Sequence, residues 1–142
     1  KGSSGLSANE MELRFMRIGV NIDSITDSDQ MKMRGAFHDK DSLIFGLSIS
    51  GNTSEVLLFL SQAHNKNAKT ILITSQIRDL YKDFCDEVIL VPSLKHLNYG
   101  NAISPQFPIS IMVDIIYSYF LKEDKNMKEK LHGDTLKALW EK

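Results

Sequence analysis

The chain has 142 residues, enough for one domain with its own hydrophobic core and short for two. Seventeen Lys and Arg against eighteen Asp and Glu give a formal net charge of −1, which argues against a chain built to coat nucleic acid, because phosphate neutralisation needs a cationic surplus, but leaves room for a regulator whose DNA-binding part lies elsewhere. A single cysteine excludes an internal disulfide and a cysteine-cluster metal site, and no apolar run reaches the roughly 18 residues of a membrane-spanning helix.

The elements follow in chain order. The start, Lys1-Gly2-Ser3-Ser4-Gly5, lacks the apolar stretch of a signal peptide. Its Gly2–Gly5 run has the composition of a flexible cloning linker as well as of a native loop. Met11, Phe15 and Ile18 recur at helical spacing, flanked by Leu13 and Met16, and predict a first helix. Val20, Ile22 and Ile25 read as a short strand. Asp27 to Phe37 reads as a second helix with Met33, Ala36 and Phe37 as its apolar face. Leu43 to Leu47 is a continuous apolar run, as expected for a strand covered on both faces.

A third helix is expected from about Thr53 to Asn65, apolar from Val56 to Leu60 and again at Ala63. Thr70 to Thr74 is the next buried-strand pattern, and a short helix is expected over Arg78 to Phe84. Glu87 to Pro92 is a further strand, stopped by its proline. After an irregular stretch from Ser93 to Pro108, Ile109, Met112, Val113, Ile116, Tyr117, Phe120 and Leu121 mark the cleanest amphipathic helix in the chain. A polar break, Lys122 to Asn126, precedes a last helix carrying Leu131, Leu136, Leu139 and Trp140.

Strands alternating with helices predict an α/β domain: a three-layer αβα sandwich around an open parallel sheet. In such sheets a ligand sits beyond the carboxyl ends of the strands, near a helix N-terminus. Ser48-Ile49-Ser50-Gly51-Asn52-Thr53 occupies that place. Gly51 permits a tight turn, Ser48, Ser50 and Thr53 carry hydroxyls, and Asn52 carries an amide. With the partial positive charge of the helix start, these groups make an anion cradle without a lysine or arginine inside it. A plain N-cap would need one hydroxyl; here three stand in six residues. The G-x-x-x-x-G-K-[ST] and G-x-G-x-x-G patterns are absent, which disfavours nucleotide-triphosphate and dinucleotide readings.

Ser48-x-Ser50-Gly51-Asn52-Thr53-x-Glu55, followed by its apolar helix, resembles the phosphosugar-binding signature of sugar isomerase (SIS) domains. The resemblance extends over nearly the whole chain and is strongest to the SIS domain of RpiR-type transcriptional regulators: Gly2 to Ala8 with Arg14 to Gly19 resembles its opening, Ala68 to Ser75 its next strand, and Ser104 with Asp114 to Tyr117 its closing segment. With that match the start reads as native. The resemblance implies a flavodoxin-like fold and a sugar phosphate held by Ser48, Ser50 and Thr53 with Asn52 beside them. It also implies Ser3 and Ser4 in a loop closing over the sugar, with Ser104 contributing from the closing segment. It further implies a first strand preceding Lys1, missing or truncated here, and an N-terminal helix-turn-helix domain through which the full-length protein would meet DNA.

SIS domains also occur in aldose–ketose isomerases, which need a base to move a proton between adjacent carbons. Where many such sequences carry a ligand-facing glutamate, this one has Lys95 and His96. His96 is a candidate base, but the missing carboxylate favours a non-catalytic sensor, with a small phosphosugar isomerase as the alternative. His38, His64 and His132 are expected to face solvent, and the scattered histidines predict no metal site. No cofactor is called for. Cys85 reads as a packed small side chain, Asp114 as a helix-packing or dimer-contact carboxylate, and the methionines as core filling and subunit contact. The expected partners are a phosphorylated sugar and a second copy of the chain, packed through Ile109–Leu121 and the last helix, with no membrane; the expected location is the cytoplasm.

Overall fold

The computed structural model describes residues 2–93 and 103–140. Its elements are α1 (Ser4–Met16), α2 (Ser28–Arg34), β1 (Leu43–Leu47), α3 (Ser54–His64), β2 (Lys69–Thr74), a 3-10 turn (Asp79–Asp83), β3 (Glu87–Leu90), α4 (Phe107–Lys122) and α5 (Lys125–Trp140). The strands form an open parallel sheet in the order β1-β2-β3. Leu47 pairs with Ile73, and Ile73 in turn with Ile89, so the carboxyl ends of the strands lie level.

Successive residues of a strand face opposite sides of a sheet, and β2 shows this directly. Leu72 belongs to one core, with Met31 of α2 and Val56, Phe59, Leu60 and Ala63 of α3. Ile73 belongs to the other, with Met11 and Phe15 of α1 and Ile109, Val113 and Tyr117 of α4. Both residues are fully buried. Helices therefore cover both faces, giving the expected αβα layering. On the second face Ser7 and Ser110 hydroxyls meet at 3.1 Å, and Phe15 stacks edge-on against Tyr117 with ring centres 5.3 Å apart. On the first face Gly46 lets α3 lie close to the sheet: a Cβ there would stand 2.6 Å from Leu60 Cδ1.

Three expectations are corrected. Val20 to Ile25 forms no strand. Val20 and Ile22 pack into the α1–α4 core and Ile25 into the α2–α3 core, so burial of side chains, not a ladder, accounts for the apolar pattern. This segment and β1 line a groove of about 770 Å³. The second helix stops at Arg34, and its expected apolar face is exposed at Met33 and Phe37, while Met31 is buried instead. The Asp27 carboxylate accepts from the Asp29 and Gln30 amides at 3.1 and 2.9 Å and caps the helix start. The Arg78–Phe84 helix is a 3-10 turn. The last helix forms as expected, yet Leu136, Leu139 and Trp140 are exposed on it. Among the described residues no helix is long and apolar enough to cross a membrane.

Candidate functional site

The Ser48–Thr53 loop leaves the carboxyl end of β1 and enters α3. Its floor is buried and bonded. The Ser48 amide donates to Ile73 O at 3.0 Å, and the side chain is almost fully enclosed. Its hydroxyl lies 2.9 Å from the Thr53 hydroxyl. The Ile49 carbonyl accepts from the Ser75 amide at 3.1 Å and the Ser75 hydroxyl at 2.7 Å. Gly51 has φ +60°, and its amide donates to Ser48 O at 3.0 Å. A Cβ at Gly51 would stand 2.1 Å from the Tyr81 hydroxyl and 2.8 Å from Thr74 Oγ1, so both space and backbone conformation demand glycine.

Thr53 is the N-cap residue of α3, with extended backbone angles, but its side chain makes no cap bond. Its hydroxyl faces Ser48 instead. The helix start thus keeps its partial positive charge uncompensated by a Thr53 cap, beside two paired hydroxyls. Ser50 is exposed, and its Oγ accepts from the Asn52 amide at 3.3 Å. Asn52 is exposed as well, and its Oδ1 accepts from Arg78 Nη1 at 2.7 Å. Four of the anticipated residues, Ser48, Ser50, Asn52 and Thr53, therefore stand together in one bonded turn.

The other three belong to other segments of the chain. Ser3 is the N-cap residue of α1 and Ser4 its first helical residue, so the anticipated serine loop is a helix start. Ser4 lines the groove beside β1, as does Leu47. Ser104 is exposed ahead of α4, and its hydroxyl donates to Gln106 Oε1. No hydrogen bond among the described residues joins these three to the turn. Lys95 and His96 lie outside the described residues.

Two neighbours of the turn escaped the sequence reading. Arg78 and Tyr81 follow β2, more than twenty residues downstream. The signal that could have found them is the parallel sheet itself, since adjacent strands end side by side and their following loops meet. The cradle is therefore not without a cation at its rim.

His38, His64, His132, Cys85 and Asp114 make contacts within the fold. His38 was expected in solvent; its Nε2 is buried without a partner, and its ring meets Phe59 edge-on at 5.2 Å. Burial, then the Arg34 charge, holds its pKa below the ordinary imidazole value. His64 Nδ1 lies 3.7 Å from Asp86 Oδ2, and the His132 carbonyl accepts from the Thr135 hydroxyl at 2.8 Å. Cys85 is buried and its thiol is pushed up to about 11, mainly by desolvation. Asp114 ion-pairs with Arg14 of α1, whose guanidinium lies 4.3 Å from the Tyr117 ring centre; it is a helix-packing carboxylate. Among the described residues no cluster of three or more His, Cys, Asp or Glu could hold a metal.

Fold and loop together define an α/β domain with a hydroxyl-rich turn between the carboxyl end of a parallel strand and a helix start. The particular family follows from comparison: the SIS domain family matches residues 1–113, and the chain belongs to it. An uncharacterized HTH-type transcriptional regulator of Clostridium perfringens is 29% identical over 122 residues, 86% of this chain and 44% of that protein. The chain spans about half the length of the curated relatives it matches. Among solved structures, the Vibrio vulnificus NanR protein complexed with ManNAc-6P superposes with TM-score 0.85 at 18% identity, covering 98% of this chain and 52% of that one. The sugar isomerase domain of an RpiR transcription factor from Sphaerobacter thermophilus gives 0.79 at 13% identity, covering 94% and 73%. A Methanococcus jannaschii protein whose structure was taken to infer 3-hexulose-6-phosphate isomerase function gives 0.62 at 24%, covering 93% and 73%.

Proposed function

We propose that the chain is the phosphosugar-sensing effector domain of a bacterial RpiR-type transcriptional regulator, without catalytic activity. The observation that supports this is the start of α3, where the Thr53 side chain makes no cap bond and pairs with the Ser48 hydroxyl instead, on a domain whose relatives are HTH-type regulators. Ser48, Ser50, Asn52 and Thr53 hold the phosphate, while Ser3, Ser4 and Ser104 approach the sugar. The sugar phosphate binds one conformation more tightly than another and so shifts the state of an attached DNA-binding domain. A regulator of this kind works in the cytoplasm.

The domain works as a homodimer or higher homo-oligomer. Ile111, Ile115 and Tyr119 of α4 are exposed, as are Leu139 and Trp140 of α5, Trp140 at 83%. These large side chains suit a contact with a second copy. A monomer by light scattering at micromolar concentration would count against it.

A phosphosugar isomerase using His96 is the second reading, favoured by the likeness to the M. jannaschii fold. The deciding experiment is a thermal-shift panel of hexose, pentose and amino-sugar phosphates, with free sugars and inorganic phosphate as controls. A ligand at ~100 times its dissociation constant adds about 2.7 kcal/mol, a rise of about 5–15 °C for a domain this size. The rise is expected to vanish in Ser50→Ala. Turnover of a sugar phosphate, abolished by His96→Ala, would overturn the sensor reading.

A further inference from the structure

The turn's hydroxyls and helix start were expected to work without a cation, yet Arg78 stands at the turn. It comes from the segment after β2, immediately before the 3-10 turn, and its backbone is extended. The guanidinium carries five donors. One is committed to Asn52 Oδ1 at 2.7 Å. No described carboxylate pairs with it, whereas Arg14 and Arg34 are ion-paired to Asp114 and Asp23. An arginine held by a neutral amide keeps its full charge available to an incoming anion.

The bond also has a consequence for Asn52. An amide presents an acceptor oxygen at one end and two donors at the other. An acceptor facing a phosphate oxygen is repulsive. With Oδ1 occupied by Arg78, the Nδ2 donors are the end left for an anion. Arg78 thus adds charge and fixes the polarity of its neighbour in one contact.

We propose that Arg78 is the charge-reading residue of the anion site: it holds Asn52 donor-outward at the Ser48–Thr53 turn and supplies the cation that makes the site select a phosphate ester over an uncharged sugar. This rests on the phosphosugar reading above. It predicts binding that weakens with salt, since the attraction of a half-buried arginine at the rim is still screened within about 10 Å at 0.1 M ionic strength.

The test uses the full chain, titrated calorimetrically with N-acetylmannosamine 6-phosphate, glucose 6-phosphate and inorganic phosphate, at low and high salt. Arg78→Gln is expected to weaken whichever probe the wild type binds by about tenfold or more and to flatten its salt dependence. Arg78→Lys is expected to recover the salt dependence but only part of the affinity, because a lysine keeps the charge and loses the fork. Asn52→Asp, which would pair its carboxylate with Arg78 and neutralise it, is expected to lose binding while melting at the wild-type temperature. Wild-type affinity and salt dependence surviving in Arg78→Gln would overturn this inference and leave the sensor reading intact. Failure of the wild type to bind any of the three probes would overturn both.

Discussion

Tyr81 holds Gly51: its phenol, on the 3-10 turn after β2, donates to the Gly51 carbonyl at 2.8 Å, and both residues are buried. The Ser48–Thr53 turn is therefore braced from the neighbouring strand's loop and not only from its own. Tyr81→Phe keeps the ring and leaves a buried carbonyl without this donor, so a loss of about 1–3 kcal/mol is expected in urea unfolding. Gly51→Ala is expected to cost more, since φ +60° and the Tyr81 hydroxyl 2.1 Å from the added carbon both oppose it. Tyr81→Phe should also weaken phosphosugar binding, because the turn loses a fixed anchor. Equal stability of the two variants would contradict this account.

The contact of α3 with β1 gives a second prediction. Leu60 is fully buried, and its Cδ1 lies where a Cβ on Gly46 would crowd it. Leu60→Ala should destabilise by about 2–5 kcal/mol through lost burial and a residual cavity. Gly46→Ala should destabilise by about 1–3 kcal/mol through overpacking. In the double variant the smaller side chain at 60 relieves the clash, so the loss should be less than the sum. Additive losses in urea melts would show that the two positions do not share space.

Much of this architecture was legible in the sequence. Leu43–Leu47 and Thr70–Thr74 read as covered strands because both their faces meet helices, and the polar Ser48–Thr53 turn stood out against them. The misreadings have non-local causes. Val20, Ile22 and Ile25 carry a strand's composition, but a strand exists only when a neighbour accepts its backbone bonds, and composition cannot supply that neighbour. Which face of α2 is buried follows from its packing on α3, where Met31 meets that helix's core residues, and no local pattern shows that neighbour. Arg78 joined the site through the register that sets Leu47 beside Ile73, a pairing no local pattern reveals.

Cys85 offers a chemical check of the core. It packs with Leu72, Tyr81 and Ala68, and with its pKa near 11 the thiol holds almost no thiolate at neutral pH. Reaction with a disulfide reagent at pH 8 should therefore be slow in the native protein and become fast in denaturant. The native rate should follow unfolding, so Leu60→Ala should accelerate it. Rapid labelling of the native wild type would place Cys85 at the surface.

The last prediction concerns acid. Asp86 stands just ahead of β3, at the opposite end of the strands from the Ser48–Thr53 turn. Its carboxylate accepts from the Thr70 amide at 2.8 Å, from Lys69 at 3.0 Å and from the Thr70 hydroxyl at 3.0 Å. These bonds, the backbone one foremost, lower its pKa from 3.8 to about 2. A carboxylate more acidic folded than unfolded stabilises the native state above its unfolded pKa, and that contribution falls as pH drops from about 4 towards 2. The group is partly exposed, so its worth after solvent screening is about 1 kcal/mol. Asp86→Asn should melt below the wild type at pH 7, and the gap should narrow as pH falls through that window. A gap unchanged at pH 2.5 would mean that the amide–carboxylate bond, and not the charge, carries the contribution.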